Sequence, residues 1–305
     1  MPNLRSVCLA AILAVPAVAQ SPFAGRWDIT LTSPNRTWGQ WMEVVEKDGQ
    51  LGGRVQPAGG AVRDMIEAKV DGSKLIVTTS RGANPTIWEL SGTKDKLTGQ
   101  QKTSDRVTAE IAAVRAPELK RPMPKAWSAP ESLFNGKDLN GWQVVGDPAQ
   151  SHWLARDGEL VNDNPGRGGA NLKTTKKFDD FKLHIEINCP DHGNSGIYLR
   201  GRYEIQVGTE GGTNPKGEMG AIYGYYPAGG NLPLNLGQWT TFDITLVGRY
   251  VTVVRDGVTI HNNVEIPGVT GGVLDSNESE PGPFYIQGDH QGVIRFRSIT
   301  VSTPK

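Results

Sequence analysis

Phe178-Asp179-Asp180-Phe181-Lys182-Leu183-His184-Ile185-Glu186-Ile187-Asn188, followed by Gly193-Asn194-Ser195-Gly196-Ile197-Tyr198-Leu199-Arg200 and then Tyr203-Glu204-Ile205-Gln206-Val207, decides the fold class. Apolar and polar residues alternate through these segments with the period of a β-strand, so Phe181, Leu183, Ile185, Ile187, Ile197, Leu199, Tyr203, Ile205 and Val207 are expected to face a core. His184, Glu186, Tyr198, Arg200, Glu204 and Gln206 take the other faces. As successive strands of one sheet, they would gather acids, an amide and a guanidinium on one surface. A sheet that needed only solubility would more often carry Thr, Lys and Ser there, so the surface reads as a binding site for a polar, hydroxyl-rich ligand.

The rest of the chain fits that reading. With 305 residues, two domains are the natural division. The 32 basic and 32 acidic side chains cancel, which removes the bulk electrostatic case for nucleic acid or an anionic membrane as partner. Thirty-eight glycines, 20 prolines and 8 tryptophans suit a turn-rich, all-β protein. At the N-terminus, Arg5, the apolar run Val7 to Val15 and the small-x-small site Ala17-Val18-Ala19 predict a cleavable signal peptide over residues 1–19, and hence a secreted or periplasmic protein. No second apolar run is long enough to span a bilayer. Cys8 would leave with the signal, and the remaining Cys189 allows neither an intramolecular disulfide nor a cysteine zinc cage.

Residues 22–116 read as one module. Gly25 to Thr32, Trp38 to Val45, Gln50 to Val55, Lys74 to Thr79, Thr86 to Leu90, Leu97 to Lys102 and Val107 to Ala113 are short alternating segments separated by turns such as Asp48-Gly49 and Asp71-Gly72. Such spacing predicts an antiparallel up-and-down barrel, and the opening Gly25-Arg26-Trp27 resembles lipocalin-like barrels. Trp38 and Trp41 are read as core aromatics that could alternatively stack on a ligand at the barrel mouth. Residues 117–130 form a linker, with Pro117, Pro122, Pro124 and Pro130 favouring an extended, semi-rigid spacer. A fragment beginning at Ser128 is therefore expected to fold alone and to need nothing from the barrel.

Residues 131–303 carry a family resemblance. It rests on Leu133-Phe134-Asn135-Gly136-Lys137-Asp138-Leu139-Asn140-Gly141-Trp142, on Trp153 with Asp157-Gly158-Glu159-Leu160, and on Asp180-Phe181-Lys182-Leu183-His184-Ile185-Glu186. It continues through Gly193 to Arg200, Tyr203-Glu204-Ile205-Gln206, Gly220-Ala221-Ile222-Tyr223, Trp239 with Thr241-Phe242-Asp243, and Ile286-Gln287 with His290 and Val293 to Arg297. In this order they resemble the 3-keto-disaccharide hydrolase family, also described as 3-keto-glucoside 1,2-lyases and 3-keto-2-hydroxy-glucal hydratases. The resemblance implies a concanavalin-like jelly roll that holds sugars on its concave face. It also implies a chemistry. Once C3 of a glucosyl unit is a ketone, a base can take the acidified C2 proton, the C1 aglycone leaves, and water adds to the glucal. The ketone would come from a separate oxidoreductase, and the substrate would be an oligosaccharide or glycoside.

Such a site needs a base, an acid near the leaving oxygen, and donors or a cation at the developing oxyanion. His290, in the Gln287-Gly288-Asp289-His290-Gln291-Gly292 loop, is the first candidate for proton transfer, since an imidazole's ordinary pKa of ~6.5 suits the work. Asp289 could orient it. Glu204 is the second candidate, as base or as ligand for sugar hydroxyls, and Glu186 the third. Arg200 and Arg297 could hold the ketone or enolate oxygen, or else pair with those glutamates. Asn194, Gln206, Tyr223 and Gln287 are candidates for hydroxyl recognition. A paired-carboxylate glycosidase would need Glu186 and Glu204 on either side of the scissile bond. No HExxH, P-loop or dinucleotide-binding pattern occurs, so no cofactor is called for. Asp275, Glu278 and Glu280 could bind a divalent cation such as calcium, or form a polar surface loop. The rival reading is a non-catalytic carbohydrate-binding protein on the same fold. Glu186 and Glu204 converging on one cleft with His290 would favour catalysis, whereas a cleft of aromatics and amides alone would favour binding.

Overall fold

The computed structural model of the protein describes residues 21–305, so the signal peptide expected over residues 1–19 lies outside the described residues. Strands β1 (Gly25–Thr32), β2 (Thr37–Lys47), β3 (Gln50–Gln56), β4 (Arg63–Asp64), β5 (Glu67–Asp71), β6 (Lys74–Thr78), β7 (Thr86–Gly92), β8 (Lys96–Thr103) and β9 (Arg106–Arg115) make one antiparallel sheet. Its order is β4-β3-β2-β1-β9-β8-β7-β6-β5. At the β2–β3 hairpin Asp48 and Gly49 take φ of 52° and 74°, the paired left-handed conformation that a two-residue turn requires. The sheet curls until its ends meet: the Met65 N–H donates to the Gly53 carbonyl at 2.9 Å and the Ile66 N–H to the Thr78 carbonyl at 2.8 Å. Alternation fills the interior with Trp27, Ile29 and Leu31 of β1, Met42 and Val44 of β2, and Leu75, Val77, Trp88 and Leu90 beyond them.

The second module is a jelly-roll sandwich built from β10 (Glu131–Ser132), β11 (Trp142–Val145), β12 (Trp153–Arg156), β13 (Glu159–Asn164), β14 (Asn171–Thr174), β15 (Phe181–Asn188), β16 (Asn194–Leu199), β17 (Tyr203–Gly208), β18 (Trp239–Val247), β19 (Tyr250–Arg255), β20 (Val258–Glu265), β21 (Tyr285–Ile286) and β22 (Gly292–Ser302). An eight-stranded sheet runs β12-β13-β22-β15-β18-β19-β20, with β10 paired to β22, and faces a five-stranded sheet of order β11-β14-β21-β16-β17. Phe181, Leu183, Ile185, Phe242 and Ile244 from the first meet Leu172, Ile197, Leu199, Ile205 and Val207 from the second. The alternation thus selects the expected core faces. Sheet membership differs from the expectation that the three segments of the opening stretch lie side by side. Residues 189–193 carry the chain from one layer to the other, so β15 belongs to the eight-stranded sheet and β16 and β17 to the five-stranded one. No helix among the described residues is long and apolar enough to cross a membrane.

The proline-rich segment is extended, but it lies along the second module instead of holding the two apart. The Leu119 carbonyl accepts from the Arg249 N–H at 2.9 Å, Arg121 pairs with Asp179 and Asp180, and the Ser128 N–H donates to the Thr303 carbonyl at 2.8 Å. The modules themselves pack face to face. In β1 and β2 the side chains opposite the barrel core, which an isolated barrel would show to water, are covered by the second module. Trp41 is wholly buried within the second module's core, edge-on to Tyr225 at 5.8 Å. Thr30 Oγ1 lies 3.1 Å from Ser276 Oγ. Asp28 is buried beside Glu278, which is itself fully buried, accepts from the Tyr203 hydroxyl at 2.5 Å and pairs with Arg249 at 3.0 Å. A fragment starting at Ser128 would strip the cover from this buried pair, contrary to the expectation that it needs nothing from the barrel.

Two outcomes follow for stability. Glu278→Ala leaves the Arg249 guanidinium buried without its counter-ion, and chemical denaturation should show a loss of ~3–5 kcal/mol. Burial, with the Glu278 carboxylate beside it, pushes Asp28 up to about 11. A carboxyl whose folded pKa exceeds its unfolded value contributes stability that is complete below pH ~4 and is lost as pH climbs towards the folded value. Asp28→Asn keeps the neutral form at every pH, so its stability should fall less than the wild type's as pH rises above that point. Parallel pH profiles for the two proteins would show that Asp28 is ionised in the fold.

Candidate active site

The outward face of the five-stranded sheet supplies the floor of a cavity of about 660 Å³, within the ~300–1,000 Å³ usual for small-molecule sites. Cross-strand register builds that floor. Glu204 of β17 lies opposite Tyr198 of β16, which lies opposite Tyr285 of β21, so the three side chains form a row across adjacent strands. Gln206 is two residues along from Glu204 and donates from Nε2 to Asn194 Oδ1 at 3.1 Å. Asn171 of β14 donates to the Tyr285 hydroxyl at 2.5 Å and accepts from the Gly288 N–H at 2.7 Å, which ties the sheet to the loop carrying Asp289 and His290. That loop is strapped again where the Gly288 carbonyl accepts from Asn162 and Asn164 at 3.1 and 3.0 Å.

Glu204, Gln206, Asn194, Tyr223, Gln287 and His290 all line this cavity, so the structure brings six of the residues singled out from sequence together. Glu204 is 3% exposed. Burial drives its carboxyl well above the usual carboxylate range, and the acids Glu210 and Asp289 push the same way. This favours its protonated form. Tyr198 and Tyr285 are likewise raised, chiefly by burial, and stay protonated donors. The Tyr198 hydroxyl gives its hydrogen to the Gly271 carbonyl at 2.9 Å, and Tyr223 donates to Glu210 at 2.7 Å. The side chain of His290 is 38% exposed, with Nε2 3.7 Å from Asp289 Oδ1. That carboxylate oxygen is buried and has no hydrogen-bond partner.

Three of the sequence candidates lie elsewhere. Glu186 and Arg297 sit on the outer face of the eight-stranded sheet, paired at 2.7 Å, with the Arg297 guanidinium 3.9 Å above Trp239. Ser298 and Arg297 hold the Glu186 carboxyl below the usual range. The layer change at residues 189–193 puts them on the side of the sandwich away from Glu204. Arg200, 1% exposed, is turned inward at the end of β16, where it takes φ of 54° and bonds Asp179 at 3.1 Å and Tyr203 and the Gly248 carbonyl at 3.0 Å each. It fixes the sandwich edge and does not reach the cavity. The carboxyl groups that do converge are Glu204, Glu210 and Asp289. Asp275 and Glu278, raised as calcium ligands, are instead committed to Arg202 at 2.7 Å and Arg249 at 3.0 Å. Glu278 is interior and not part of a surface loop. Among the described residues, no cluster of three or more His, Cys, Asp or Glu side chains is arranged to hold a metal ion.

Tyr285, Asn171 and Glu210 were not among the sequence candidates. The alternation of β14 and β21 places Asn171 and Tyr285 opposite the core residues Leu172 and Ile286, but strands of four and two residues are too short to show a period. Gly196 was the more available signal. In mid-strand a glycine marks a close approach, and a Cβ there would collide with the Glu204 carboxyl. The barrel also reaches the site. Arg36, Thr37 and Trp38, with the loop Ala58-Gly59-Gly60, form one wall of the cavity.

The sequence of residues 129–302 matches the family model of the 3-keto-alpha-glucoside-1,2-lyase-like domain. Among solved structures, a protein from Parabacteroides distasonis provisionally named a glycosyl hydrolase is 28% identical, over 62% of this chain and 94% of its own, with a TM-score of 0.49. Another from the same organism, named in the same way, is 20% identical over 58% of this chain and all of its own, at 0.44. A non-specific endo-β-1,3(4)-glucanase of family GH16 is 11% identical over 61% of this chain and 94% of its own, at 0.36. No curated protein matches. The match of residues 129–302 is what carries the assignment.

Gly196→Ala tests the close approach that seats Glu204. The added methyl should displace the Glu204 side chain and weaken binding of a sugar ligand at least about tenfold, the effect of ~1.4 kcal/mol, as read by calorimetric titration. Unaltered affinity in a folded variant would remove Glu204 from the binding surface.

Proposed function

The chain belongs to the 3-keto-alpha-glucoside-1,2-lyase-like family through residues 129–302, a carbohydrate-active assignment from which we propose that it cleaves 3-keto-glycosides by elimination across C1 and C2. The observation that supports this reading is the convergence, in one cavity, of a carboxyl whose pKa burial raises well above the ordinary range and a half-buried imidazole beside a carboxylate. His290 takes the C2 proton, with Asp289 stabilising the imidazolium that results. The C2 electron pair, delocalised onto the C3 oxygen as an enolate, forms the C1–C2 double bond and expels the C1 oxygen. Glu204, in its acid form, gives its proton to that departing oxygen, and the products are the free alcohol and a 3-keto-2-hydroxy-glucal. Addition of water across the double bond then returns a 3-keto-sugar, so the net reaction is hydrolysis.

With Arg200 and Arg297 outside the cavity, neutral donors serve the developing oxyanion. Tyr285 is the candidate, because Asn171 occupies one of its lone pairs and leaves its own hydrogen free to turn to substrate. Asn194, Gln206 and Gln287 are placed to recognise ring hydroxyls. A ketone-forming oxidoreductase would have to act first, and export by the residue 1–19 segment would place the cleavage outside the cytoplasm.

Three outcomes test the reading. Incubated with methyl 3-keto-glucoside and with its unoxidised parent, the protein should release methanol only from the ketone, because the parent's C2 proton is too weakly acidic for elimination. Equal release from both would mean direct glycosidic hydrolysis. His290→Ala and Glu204→Gln should each lower turnover by ~10²–10⁴, the usual contribution of a positioned acid or base, with thermal unfolding unchanged. The pH profile decides the role of Glu204. As the acid, with its pKa raised by burial, it keeps activity on well above the ordinary carboxylate range and its loss of a proton forms the alkaline limb. If Glu204 were the base, activity would appear only above that raised pKa.

A further inference from the structure

The family match begins at residue 129, yet the cavity is not closed by residues 129–302 alone. Its remaining wall comes from the barrel: Arg36, Thr37 and Trp38 at the start of β2, and the loop after β3. That loop is fixed against the catalytic face. The Gly272 N–H donates to the Ala58 carbonyl at 3.3 Å. Gly271 and Gly224 lack the Cβ atoms that would strike Gly60 and the Ala61-Val62 backbone. Because Tyr198 is hydrogen-bonded to Gly271, the barrel wall is held at a set distance from the row that contains Glu204.

Trp38 is also held in place. Its indole N–H and the Ala58 N–H both reach the Gln40 amide oxygen when that amide faces them, at 3.0 and 2.8 Å, and the Arg36 guanidinium carbon lies 4.6 Å from the ring centroid. The same indole lines a second cavity of about 190 Å³ at the barrel mouth, with Gln40, Arg63, Thr79, Thr86 and Gln101 around it. Trp38 therefore stands where the reaction cavity opens into the barrel.

We propose that the barrel wall is the leaving-group subsite, with Trp38 and the Arg36 guanidinium stacked on its ring as the platform on which a second sugar ring lies and Thr37 at its edge. The inference rests on the keto-glycoside reading above, in which the bond to C1 breaks. With the reacting ring over Gln206 and Asn194, the remaining wall is where the substituent on C1 must go. A flat indole face suits the C–H face of a sugar, and the amide, hydroxyl and guanidinium groups beyond it suit a hydroxylated ring better than an aryl group.

The test compares the 3-keto derivative of a glucosyl disaccharide with methyl 3-keto-glucoside, in the full-length wild type and in Trp38→Ala. The ratio of kcat/KM for the disaccharide to that for the methyl compound should fall about tenfold in the variant, as expected for loss of one aromatic contact, and Trp38→Phe should recover most of it. An unaltered ratio overturns the subsite. An aryl 3-keto-glucoside that depends on Trp38 more strongly than the disaccharide overturns the choice of a sugar. If the wild type turns over neither ketone, the elimination reading fails by itself. Calorimetric titration with the unoxidised disaccharide and methyl glucoside then decides the subsite: weaker disaccharide binding in Trp38→Ala supports it, and equal binding overturns it.

Discussion

A carboxyl group taken out of water, with acids as its nearby charges, is driven toward its protonated form, and the candidate site depends on this constraint at Glu204. Burial is the largest influence on it, and Glu210 and Asp289 add repulsion to the ionised form. The fold makes the arrangement possible through two local features. Gly196, on the neighbouring strand, leaves the space the carboxyl occupies, and Tyr198, directly opposite in register, covers it while hydrogen-bonded to the 270–274 segment. A second acid at ordinary exposure would ionise and could not serve as a proton donor at neutral pH, so in the proposed elimination the different burial of Glu204 and His290 is what would divide the acid and base roles between them.

The two modules share this constraint. Covering the outward side of β1 and β2 needs partners for Asp28 and Trp41, and the second module supplies them as Glu278, Arg249 and Tyr225. The same packing brings the loop after β3 against Gly271 and Gly272. The barrel thereby becomes a wall of the cavity. A residue such as Glu278, which looks like a candidate cation ligand in an acidic loop, is then read as the buried counter-ion of Arg249.

Much of this was legible in the sequence. Period-two alternation placed Leu183, Ile197 and Ile205 in the core and Glu204 and Gln206 on the opposite face, because side-chain direction in a strand is a local property. Local pattern does not say which sheet a strand joins. Glu186 and Glu204 obey the same alternation, yet the layer change after Asn188 puts them on opposite sides of the sandwich. Arg200 misled for a related reason: its φ of 54° turns it out of the alternation at the end of its strand. Trp41 was legible as a core aromatic, but neither the core it joins nor the burial of Asp28 could be read, because both depend on contact with residues more than 180 positions away.

The central claim is that Glu204 is protonated in the resting protein. Infrared difference spectra between wild type and Glu204→Gln, recorded at neutral pH with backbone exchange complete, measure this directly. The account predicts a protonated-carboxyl stretch in the wild type that is missing from the variant and persists well above the pH at which exposed glutamates ionise. A carboxylate band in its place at neutral pH would contradict it, and Glu204 could then not be the acid.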